Sequence, residues 1–363
     1  MTIIFSLIGM FFMFYLLAKV CDQYFVRSLD IIAQKWHLSE DVAGATLMAI
    51  GSSAPEFFTS VIALGKVGSE QIGAGTIVGS AIFNILVIIG VSSIISAVKL
   101  RWGPVIRDLL FYMGAIGVLL VTFRDGTITV YEALLYILVY IGYIIFLASR
   151  RKTPPASAEI IKETPSNTPH RKPWAFVDRM FDFLFPNLNK NPNAYWQTFV
   201  IAIVIIGLSS WALVEFAIIT AHAVGIPEVI IALTILAGGT SIPDLISSII
   251  VAKQGKGDMA VSNAVGSNTF DILVGLGVPW FVYTALFGGK VVVSTENLFS
   301  SILLLFFTVV ALVFLLFAQE FKMGRKSGYF LLTLYILYVG YWIYGAYHPE
   351  AWIWGEILGV VRG

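Results

Sequence analysis

The sequence predicts an all-α integral membrane protein with about ten transmembrane helices, arranged as two inverted five-helix repeats. Three observations lead to this fold class. The 363 residues are 58% hydrophobic and only 12% charged, about half the charged fraction of a typical soluble domain. The apolar residues fall into blocks close to the roughly 20 residues needed to cross a bilayer. Finally, two segments of the first half recur in the second half.

The apolar blocks divide evenly around a polar centre. They cover residues 3–20, 43–64, 74–97, 105–122, 129–148, 197–221, 229–252, 261–287, 298–318 and 328–346. We therefore expect a first five-helix half over 1–148, a cytoplasmic loop over 149–195 and a second half over 196–363. The loop is rich in Pro, Ser, Thr and charge over 150–172, a composition typical of unstructured chain. The stretch 174–184 fits either an amphipathic helix on the inner membrane surface or a plain linker.

The distribution of basic residues predicts the orientation. With the N-terminus outside, 19 of the 23 Lys and Arg residues fall in segments that would face the cytoplasm. Cytoplasmic segments of membrane proteins carry such an excess. The first apolar block has no basic segment before it and no A-x-A cleavage site, so we expect it to span the membrane and not to be removed. The chain is thus predicted to be a multi-pass protein of the cell membrane.

Charge and cysteine content exclude several classes of partner. The formal net charge is +1 and no basic stripe is present, so nucleic acid is not an expected partner. Cys21 is the single cysteine, which rules out an intrachain disulfide and a cysteine metal cluster. We expect no bound cofactor and no enzymatic activity, and nothing in the sequence implies an obligate protein partner. The expected partners are the lipid bilayer and inorganic cations, for the reasons below.

The internal repeat consists of two segments, each of which recurs in the second half at the same length. At a shift of 188 residues, the second half repeats GATLMAIGSSAPEFFTSVI (44–62) as ALTILAGGTSIPDLISSII (232–250), with seven identical positions. At a shift of 187, it repeats VGSAIFNILVIIGV (78–91) as VGSNTFDILVGLGV (265–278), with nine of fourteen identical. Because each half has five spans, the second copy enters the membrane from the opposite side, as in many transporters that work by alternating access. Duplicated packing residues would explain the shared glycines, but not matches that centre on carboxylates.

Each repeat places a carboxylate directly after a proline inside an apolar span. The pairs are Pro55–Glu56 and Pro243–Asp244. Proline lacks an N–H and displaces the carbonyl four residues earlier, which belongs to a glycine in both repeats. We therefore expect both helices to kink and to expose backbone oxygens, which is tolerable in a membrane only where they line a polar cavity.

The next span of each repeat carries polar residues at four-residue spacing, which places each set on one helix face. The sets are Thr76, Ser80 and Asn84, and Asn263, Ser267 and Asp271. Flanking glycines, Gly75, Gly79 and Gly266, are expected to let the helix backbones approach closely.

The predicted cavity is lined by oxygen atoms, which hard cations prefer; calcium takes 6–8 of them. The absence of His and Cys from this predicted cavity argues against a zinc, copper or iron site. Glu56, Asp244 and Asp271 give a formal charge of −3, and no Lys or Arg lies within these four spans. Bound cations or protons must then compensate, because a buried carboxylate needs a partner. One divalent with one monovalent cation, or three monovalent cations, would neutralise the site, which suggests ion exchange as a hypothesis. Glu215 also lies in a span but has no repeat partner, so a site role is less favoured.

At these positions the chain resembles the cation/calcium exchanger superfamily, whose paired alpha repeats have segments similar to GSSAPE and GTSIPD, each followed by GS-x3-[ND]-I. The longer stretches VCDQYFVRSLD, HLSEDVAGATLMAIGSSAPEFFTS and GTSIPDLISSIIVAKQGKGDMAVSNAVGSNTFDILVGLGVPW resemble the potassium-dependent sodium/calcium exchangers. The similarity covers both repeats, at about 43–97 and 229–287, and the end of the first span. The central loop is far shorter than that of animal exchangers, which implies that their regulatory domains are absent.

The resemblance implies that calcium moves against sodium, with potassium alongside calcium. By motif position, Glu56 and Asp244 would be the central calcium and sodium ligands, completed by Asn84 and Asp271. Further oxygens would come from the side chains of Ser52, Ser53, Ser80, Thr240, Ser241, Ser267 and Asn268, and from the backbone carbonyls of Ala49 and Ala237. Asp271 matches the acidic residue associated with potassium dependence, although some potassium-independent relatives are acidic there too. Ser247 is a departure, since Thr is typical of the potassium-dependent branch.

Several alternatives remain open from sequence. A potassium-independent sodium/calcium exchanger is the nearest, followed by a proton/calcium exchanger, against which the Asn84/Asp271 asymmetry counts weakly. A channel fits an inverted repeat less well. An intramembrane aspartyl protease also places two carboxylates in the bilayer, but its acids must be close enough to share a proton.

Overall fold

The computed structural model describes residues 2–36, 49–66, 68–96, 98–100, 102–149, 175–188, 191–255, 257–293 and 295–348. The stretch predicted to be unstructured, 150–172, lies outside these residues, as do positions 43–48 of the second predicted span. The described chain is almost entirely helical, because a backbone within the bilayer must satisfy its hydrogen bonds internally.

The described residues of the first half form eight α-helices and two short strands. They are α1 (Thr2–Val20), α2 (Arg27–Lys35), α3 (Ala49–Ser52), α4 (Ala54–Leu64), α5 (Gln71–Phe83), α6 (Ile89–Ile95), β1 (Val98–Lys99), α7 (Trp102–Thr122), β2 (Thr127–Ile128) and α8 (Val130–Ser149). A π-helical segment, Cys21–Val26, joins α1 to α2, and a second, Asn84–Ile88, joins α5 to α6.

The central segment and the second half follow the same plan. The elements are α9 (Ala175–Leu184), a 3₁₀ turn (Pro192–Ala194), α10 (Tyr195–Val224), α11 (Glu228–Ile231), α12 (Ala237–Thr240), α13 (Ile242–Lys253), α14 (Gly257–Phe270), α15 (Gly277–Phe287), β3 (Val291–Val292), α16 (Thr295–Ala318), β4 (Lys322–Met323) and α17 (Arg325–Tyr347). The π-helical segments Ala232–Leu236 and Asp271–Leu276 connect α11 to α12 and α14 to α15.

The span prediction agrees with the helices. Nine helical stretches of the described chain are long and apolar enough to cross a membrane. The remaining predicted span, the second (43–64), is represented by α4, a shorter apolar helix, preceded by α3. The first and sixth spans are the longest, at 31 and 30 residues. The two inverted five-helix repeats predicted from sequence are therefore the architecture of the protein.

Irregularities in the helices recur at equivalent positions of the two repeats. The helix is interrupted at Ser53 (φ −93°, ψ 8°) and at Ser241 (φ −82°, ψ 3°), two residues before each proline. The π-helical segments that begin at Asn84 and Asp271 are also equivalent. Such π-helical turns occur frequently at functional sites. The predicted kinks are thus confirmed as interruptions of the helix.

The halves interlock around glycines and through two strand ladders. A Cβ on Gly79 would lie 2.4 Å from the Leu233 carbonyl oxygen and 2.6 Å from the Ala237 side chain, and one on Gly75 would meet Ala232 at 3.0 Å. The predicted close approach is confirmed at these glycines, whereas a Cβ on Gly266 would meet no described atom of another element within 4 Å. Strand β1 pairs antiparallel with β4, and β2 with β3, so each ladder joins one half to the other.

The buried apolar residues form two clusters. One cluster centres on α1 and α10 and includes Phe181 and Phe185 from the α9 region. In this cluster Gly9 packs on the Phe216 ring, and the Thr220 hydroxyl donates to Ser6 Oγ at 2.9 Å. The other cluster contains most of the remaining membrane helices. The α1–α10 pair therefore packs together and also contacts the repeats, since Ala54 and Ala63 of α4 belong to the same cluster.

Candidate ion-binding site

The three predicted carboxylates are buried at the interrupted helices. Glu56 is 1% exposed, Asp244 4% and Asp271 1%. Glu56 is the third residue of α4, and Asp244 the third residue of α13. The N-terminus of a helix carries a partial positive charge and free N–H groups, so each interruption favours a carboxylate at this position. Glu56 lies close enough to Asp244 and Asp271 for electrostatic repulsion between them.

Two hydroxyls from opposite repeats meet at Glu56. Ser80 Oγ and Ser241 Oγ are hydrogen-bonded at 2.6 Å, with either hydroxyl as the donor, and each lies 3.4 Å from Glu56 Oε1. All three side chains are at most 1% exposed. The sequence repeat therefore converges on one carboxylate oxygen that already has two hydroxyl neighbours.

A second group of polar side chains surrounds Asn84. Its amide nitrogen donates to Asn268 Oδ1 at 2.8 Å and to Ser267 Oγ at 3.3 Å. Asp244 lies near both Asn84 and Ser267. On the other side, Ser53 lies near Asp271. Residues from both repeats are thus interleaved in one polar region, as the inverted repeat predicts.

Four buried oxygen atoms of this region have no hydrogen-bond partner among the described residues. They are Ser53 Oγ, Glu56 Oε2, Asn84 Oδ1 and Asp271 Oδ1. A buried polar atom without a partner is costly, by about 1–3 kcal/mol. No salt bridge between described residues involves Glu56, Asp244 or Asp271. Oxygens without donors and carboxylates without basic partners are the chemistry that a hard cation requires.

The acids do not form a single cluster. In the described part of the chain, no three carboxylate, imidazole or thiol groups lie close enough to hold one ion together. The expectation of three acids in one cavity is therefore refined: they are distributed along the polar region, with hydroxyl and amide oxygens between them. Such an arrangement offers oxygen ligands at more than one position.

Other predicted ligands have local partners. The Ala49 carbonyl accepts from Ser53 N at 3.0 Å, and the Ala237 carbonyl accepts from Ser241 N at 3.3 Å. The Ser52 hydroxyl donates to the Ala49 carbonyl at 3.4 Å. The Thr240 hydroxyl donates to the carbonyl of Leu236 at 3.1 Å and to that of Ala237 at 3.3 Å. The Ser52 and Thr240 hydroxyls keep their own lone pairs for an ion, whereas the Ala49 and Ala237 carbonyls, which have two lone pairs each, would bind an ion in place of the hydroxyl donor.

Two details differ from the sequence prediction. Asn263 is exposed, whereas its repeat equivalent Thr76 is fully buried and bonds to the Ile72 carbonyl; the two polar stripes are therefore not equally enclosed. The glycines at the interruptions also have a packing role. Phe14 occupies the space beside Gly239, and Val26 the space beside Gly51.

Sequence patterns missed one contributor to this region, Tyr112, and the ion-pair partner of Glu215. Tyr112 of α7 lies outside the repeated segments, yet its hydroxyl accepts from Asn268 Nδ2 at 3.2 Å. A single buried tyrosine in an apolar span gave no periodic or repeat signal. Glu215 pairs with Lys66 from the loop after α4, which explains this membrane acid without a role in the site.

A buried site of carboxylates, hydroxyls and an amide, placed where two inverted repeats meet, defines a membrane transporter for inorganic cations. Residues 6–148 and 194–344 match the family model described as sodium/calcium exchanger protein. The chain belongs to this family, which is a family of transporters.

The relatives and solved structures agree with the membership. Sodium/potassium/calcium exchanger 4 of Mus musculus is 29% identical over 93% of this chain and 80% of its own length. Sodium/potassium/calcium exchanger Nckx30C of Drosophila melanogaster is 28% identical over 93% and 61%. A structure of the sodium-calcium exchanger NCX_Mj soaked with Na+ and Sr2+ aligns with a TM-score of 0.58 at 26% identity, covering 93% of this chain and 98% of that one. The H+/Ca2+ exchanger CAX aligns with a TM-score of 0.69 at 16% identity, over 92% and 81%, a likeness of fold alone.

Proposed function

We propose that the protein is a secondary active antiporter that exchanges Na+ for Ca2+ by alternating access, with K+ moving alongside Ca2+. The observation that carries the proposal is a set of four buried oxygens, on Ser53, Glu56, Asn84 and Asp271, that have no hydrogen-bond partner among the described residues. They lie beside carboxylates that no described basic residue neutralises. Transported cations are the partners that such oxygens lack.

The site residues of the proposal have distinct roles. Glu56 and Asp244, at the N-termini of the two interrupted helices, are the central ligands of calcium and sodium. Asn84 and Asp271, which begin the π-helical segments after α5 and α14, complete the site. Hydroxyl and carbonyl oxygens add the remaining ligands: Ser52, Ser53, Ser80, Thr240, Ser241, Ser267, Asn268, Ala49 and Ala237.

Charge balance supports the coupling of ions. The three carboxylates carry a formal charge of −3, which one Ca2+ with one K+ neutralises, and three Na+ equally. Either ion set relieves the cost of leaving buried carboxylates uncompensated, whereas the empty site does not. The names of the relatives, which are sodium/potassium/calcium exchangers, support the inclusion of potassium.

The proposal includes the orientation. The N-terminus lies outside, the halves 1–148 and 196–363 are joined by a cytoplasmic loop at 149–195, and the protein resides in the cell membrane. The excess of Lys and Arg in the segments assigned to the cytoplasm supports it.

Radiocalcium uptake into sodium-loaded proteoliposomes, with and without external potassium, tests the transport. Uptake that requires both the sodium gradient and potassium is expected. Sodium-driven uptake indifferent to potassium would retain the exchanger and remove potassium from the cycle. Uptake driven only by a pH gradient would replace sodium with protons.

Cysteine labelling tests the orientation, since Cys21 is buried and is the single native cysteine. In a Cys21→Ala background, exposed Asn187 of the central loop and exposed Lys290 of the loop between α15 and β3 are replaced singly by cysteine. An impermeant maleimide applied to intact cells is expected to label position 290 and not 187. The reverse pattern would invert the topology.

A further inference from the structure

We infer that Tyr112 is a positioning residue of the ion site, which acts through Asn268 to fix the Asn84 amide with its oxygen toward the cation. The inference rests on the proposed function, because it assigns Asn84 Oδ1 to an ion. Tyr112 belongs to α7, a helix outside the duplicated segments, and is fully buried.

An amide side chain, unlike a carboxylate, has two chemically different ends, so its orientation decides whether it can bind a cation. A carboxylate presents two equivalent oxygens, so Asp271 binds a cation in either orientation of its planar group. An amide presents one oxygen and one NH₂ group. If the Asn84 amide rotated by half a turn, its NH₂ group would face the cation and repel it. The repeat places an amide at 84 where its counterpart 271 has a carboxylate, so only the first repeat needs an orienting device.

Asn268 supplies the orientation. Its Nδ2 donates to the backbone carbonyl of Ala81 at 3.1 Å and to Tyr112 Oη at 3.2 Å. The Ala81 carbonyl can only accept, so it fixes which end of the Asn268 amide carries the nitrogen. Asn268 Oδ1 therefore faces Asn84 and accepts from its Nδ2 at 2.8 Å.

The same logic passes to Asn84. Its Nδ2 donates to Asn268 Oδ1 and to Ser267 Oγ, so both of its N–H bonds have partners. Its Oδ1 is buried and lies without a hydrogen-bond partner among the described residues. The chain of directed hydrogen bonds thus begins at Ala81 and Tyr112 and ends with a bare oxygen in the ion site.

The repeat accounts for the position of the device. Asn268 is equivalent to Ala81 at the shift of 187, and it is the Ala81 carbonyl to which Asn268 donates. The first repeat, which faces the carboxylate Asp271, has only a methyl group at this position. The second repeat, which faces the amide Asn84, has the side chain that orients it.

Tyr112→Phe tests the inference by removing one hydroxyl. The Asn268 amide then loses one of its two anchors, and a buried N–H is left without a partner. The readout is the Kd for Ca2+ of the purified full-length protein, measured by radiocalcium binding, together with the maximal rate of exchange. We expect the Kd to rise severalfold while the maximal rate and the melting temperature change little. Tyr136→Phe is the matched control, since Tyr136 is equally buried and its hydroxyl bonds at 2.5 Å to Thr122, which is not a residue of the site.

An Asn84→Asp background separates positioning from ligation. A carboxylate at 84 needs no orientation, so Tyr112→Phe is expected to leave the Kd of this background unchanged. Asn268→Ala is the second variant: it should raise the Kd more in the parent than in the Asn84→Asp background, because only an amide at 84 needs to be oriented. An equal loss in both backgrounds would show that Asn268 does not act through Asn84 and would overturn the inference.

The remaining outcomes are also decisive. A Tyr112→Phe protein that keeps the parent's Kd contradicts a positioning role. The same conclusion follows if only the yield of folded protein and the maximal rate of exchange fall. If the parent itself binds no calcium, it is the proposed function that fails, and the test of orientation passes to the cation that the parent does bind.

Discussion

Ser80 Oγ lies 2.6 Å from Ser241 Oγ, although 161 residues separate them in the chain. The two serines belong to opposite repeats, and each hydroxyl lies 3.4 Å from the same carboxylate oxygen of Glu56. The inverted repeat therefore closes on a shared contact. A change on one side of this contact is felt by the other.

This contact predicts coupled serine variants. Ser80→Ala and Ser241→Ala each remove one hydroxyl beside Glu56 and one proposed ion ligand, and each is expected to weaken apparent calcium affinity by about tenfold, the equivalent of roughly 1.4 kcal/mol. The double variant should lose less than the sum, since the hydroxyls contact each other. Calcium uptake at varied calcium concentration measures the affinities. Full additivity would show that the serines act independently.

Neutralising either central carboxylate is expected to abolish exchange. Glu56→Gln and Asp244→Asn keep the size of the side chain but remove a charge that the cations must balance, so sodium-driven calcium uptake should fall to the background of empty vesicles. Glu215→Gln is the matched control, because Glu215 also lies in a span but pairs with Lys66. Its uptake should stay within about twofold of the parent, as expected for a partly exposed ion pair. Normal flux in Glu56→Gln or Asp244→Asn would remove these acids from the site.

Asp271→Asn is expected to reduce the stimulation of calcium uptake by potassium. With a formal charge of −2 left in the site, Ca2+ alone restores neutrality and the monovalent partner is no longer required. The measurement is the ratio of uptake with and without external potassium, which should approach one. Asp125→Asn, in an exposed loop, serves as the control and should keep the parent's ratio. A potassium ratio unchanged by Asp271→Asn would place potassium binding elsewhere.

Gly79→Ala is expected to destabilise the protein. The new Cβ would lie 2.4 Å from the backbone oxygen of Leu233, which cannot rotate away, and such overpacking costs roughly 1–3 kcal/mol. Thermal unfolding of the purified protein should show a lower melting temperature. Gly114 is on the exposed side of α7, and a Cβ added there would meet no described atom of another element within 4 Å. Gly114→Ala should therefore leave the melting temperature unchanged. A stable Gly79→Ala variant would mean that the two repeats can separate at this contact.

The repeat made the main features of the site predictable. Interruptions at Ser53 and Ser241 follow from the prolines two residues later, and local chemistry of this kind is written in the chain. The burial of Glu56, Asp244 and Asp271 follows equally from their positions in apolar spans. The sequence could not predict which oxygens would lack a hydrogen-bond donor. Asn268 and Asn84 were both predicted as ligands from their motif positions, and nothing in the sequence distinguished them. The Asn268 amide turned out to bond to the Ala81 carbonyl, a contact between residues 187 positions apart.

By itself, the sequence determined the helical membrane fold, the inverted repeat and the polar residues of the site, because apolar length, proline and carboxylates in a bilayer each have one dominant physical consequence. The tertiary structure alone decided the pairing of Ser80 with Ser241, the partner of Glu215 and the contact of Tyr112 with Asn268. These depend on how helices from distant parts of the chain are rotated and packed against one another. Packing of that kind is set by the sum of many weak contacts, none of which leaves a pattern in the local sequence.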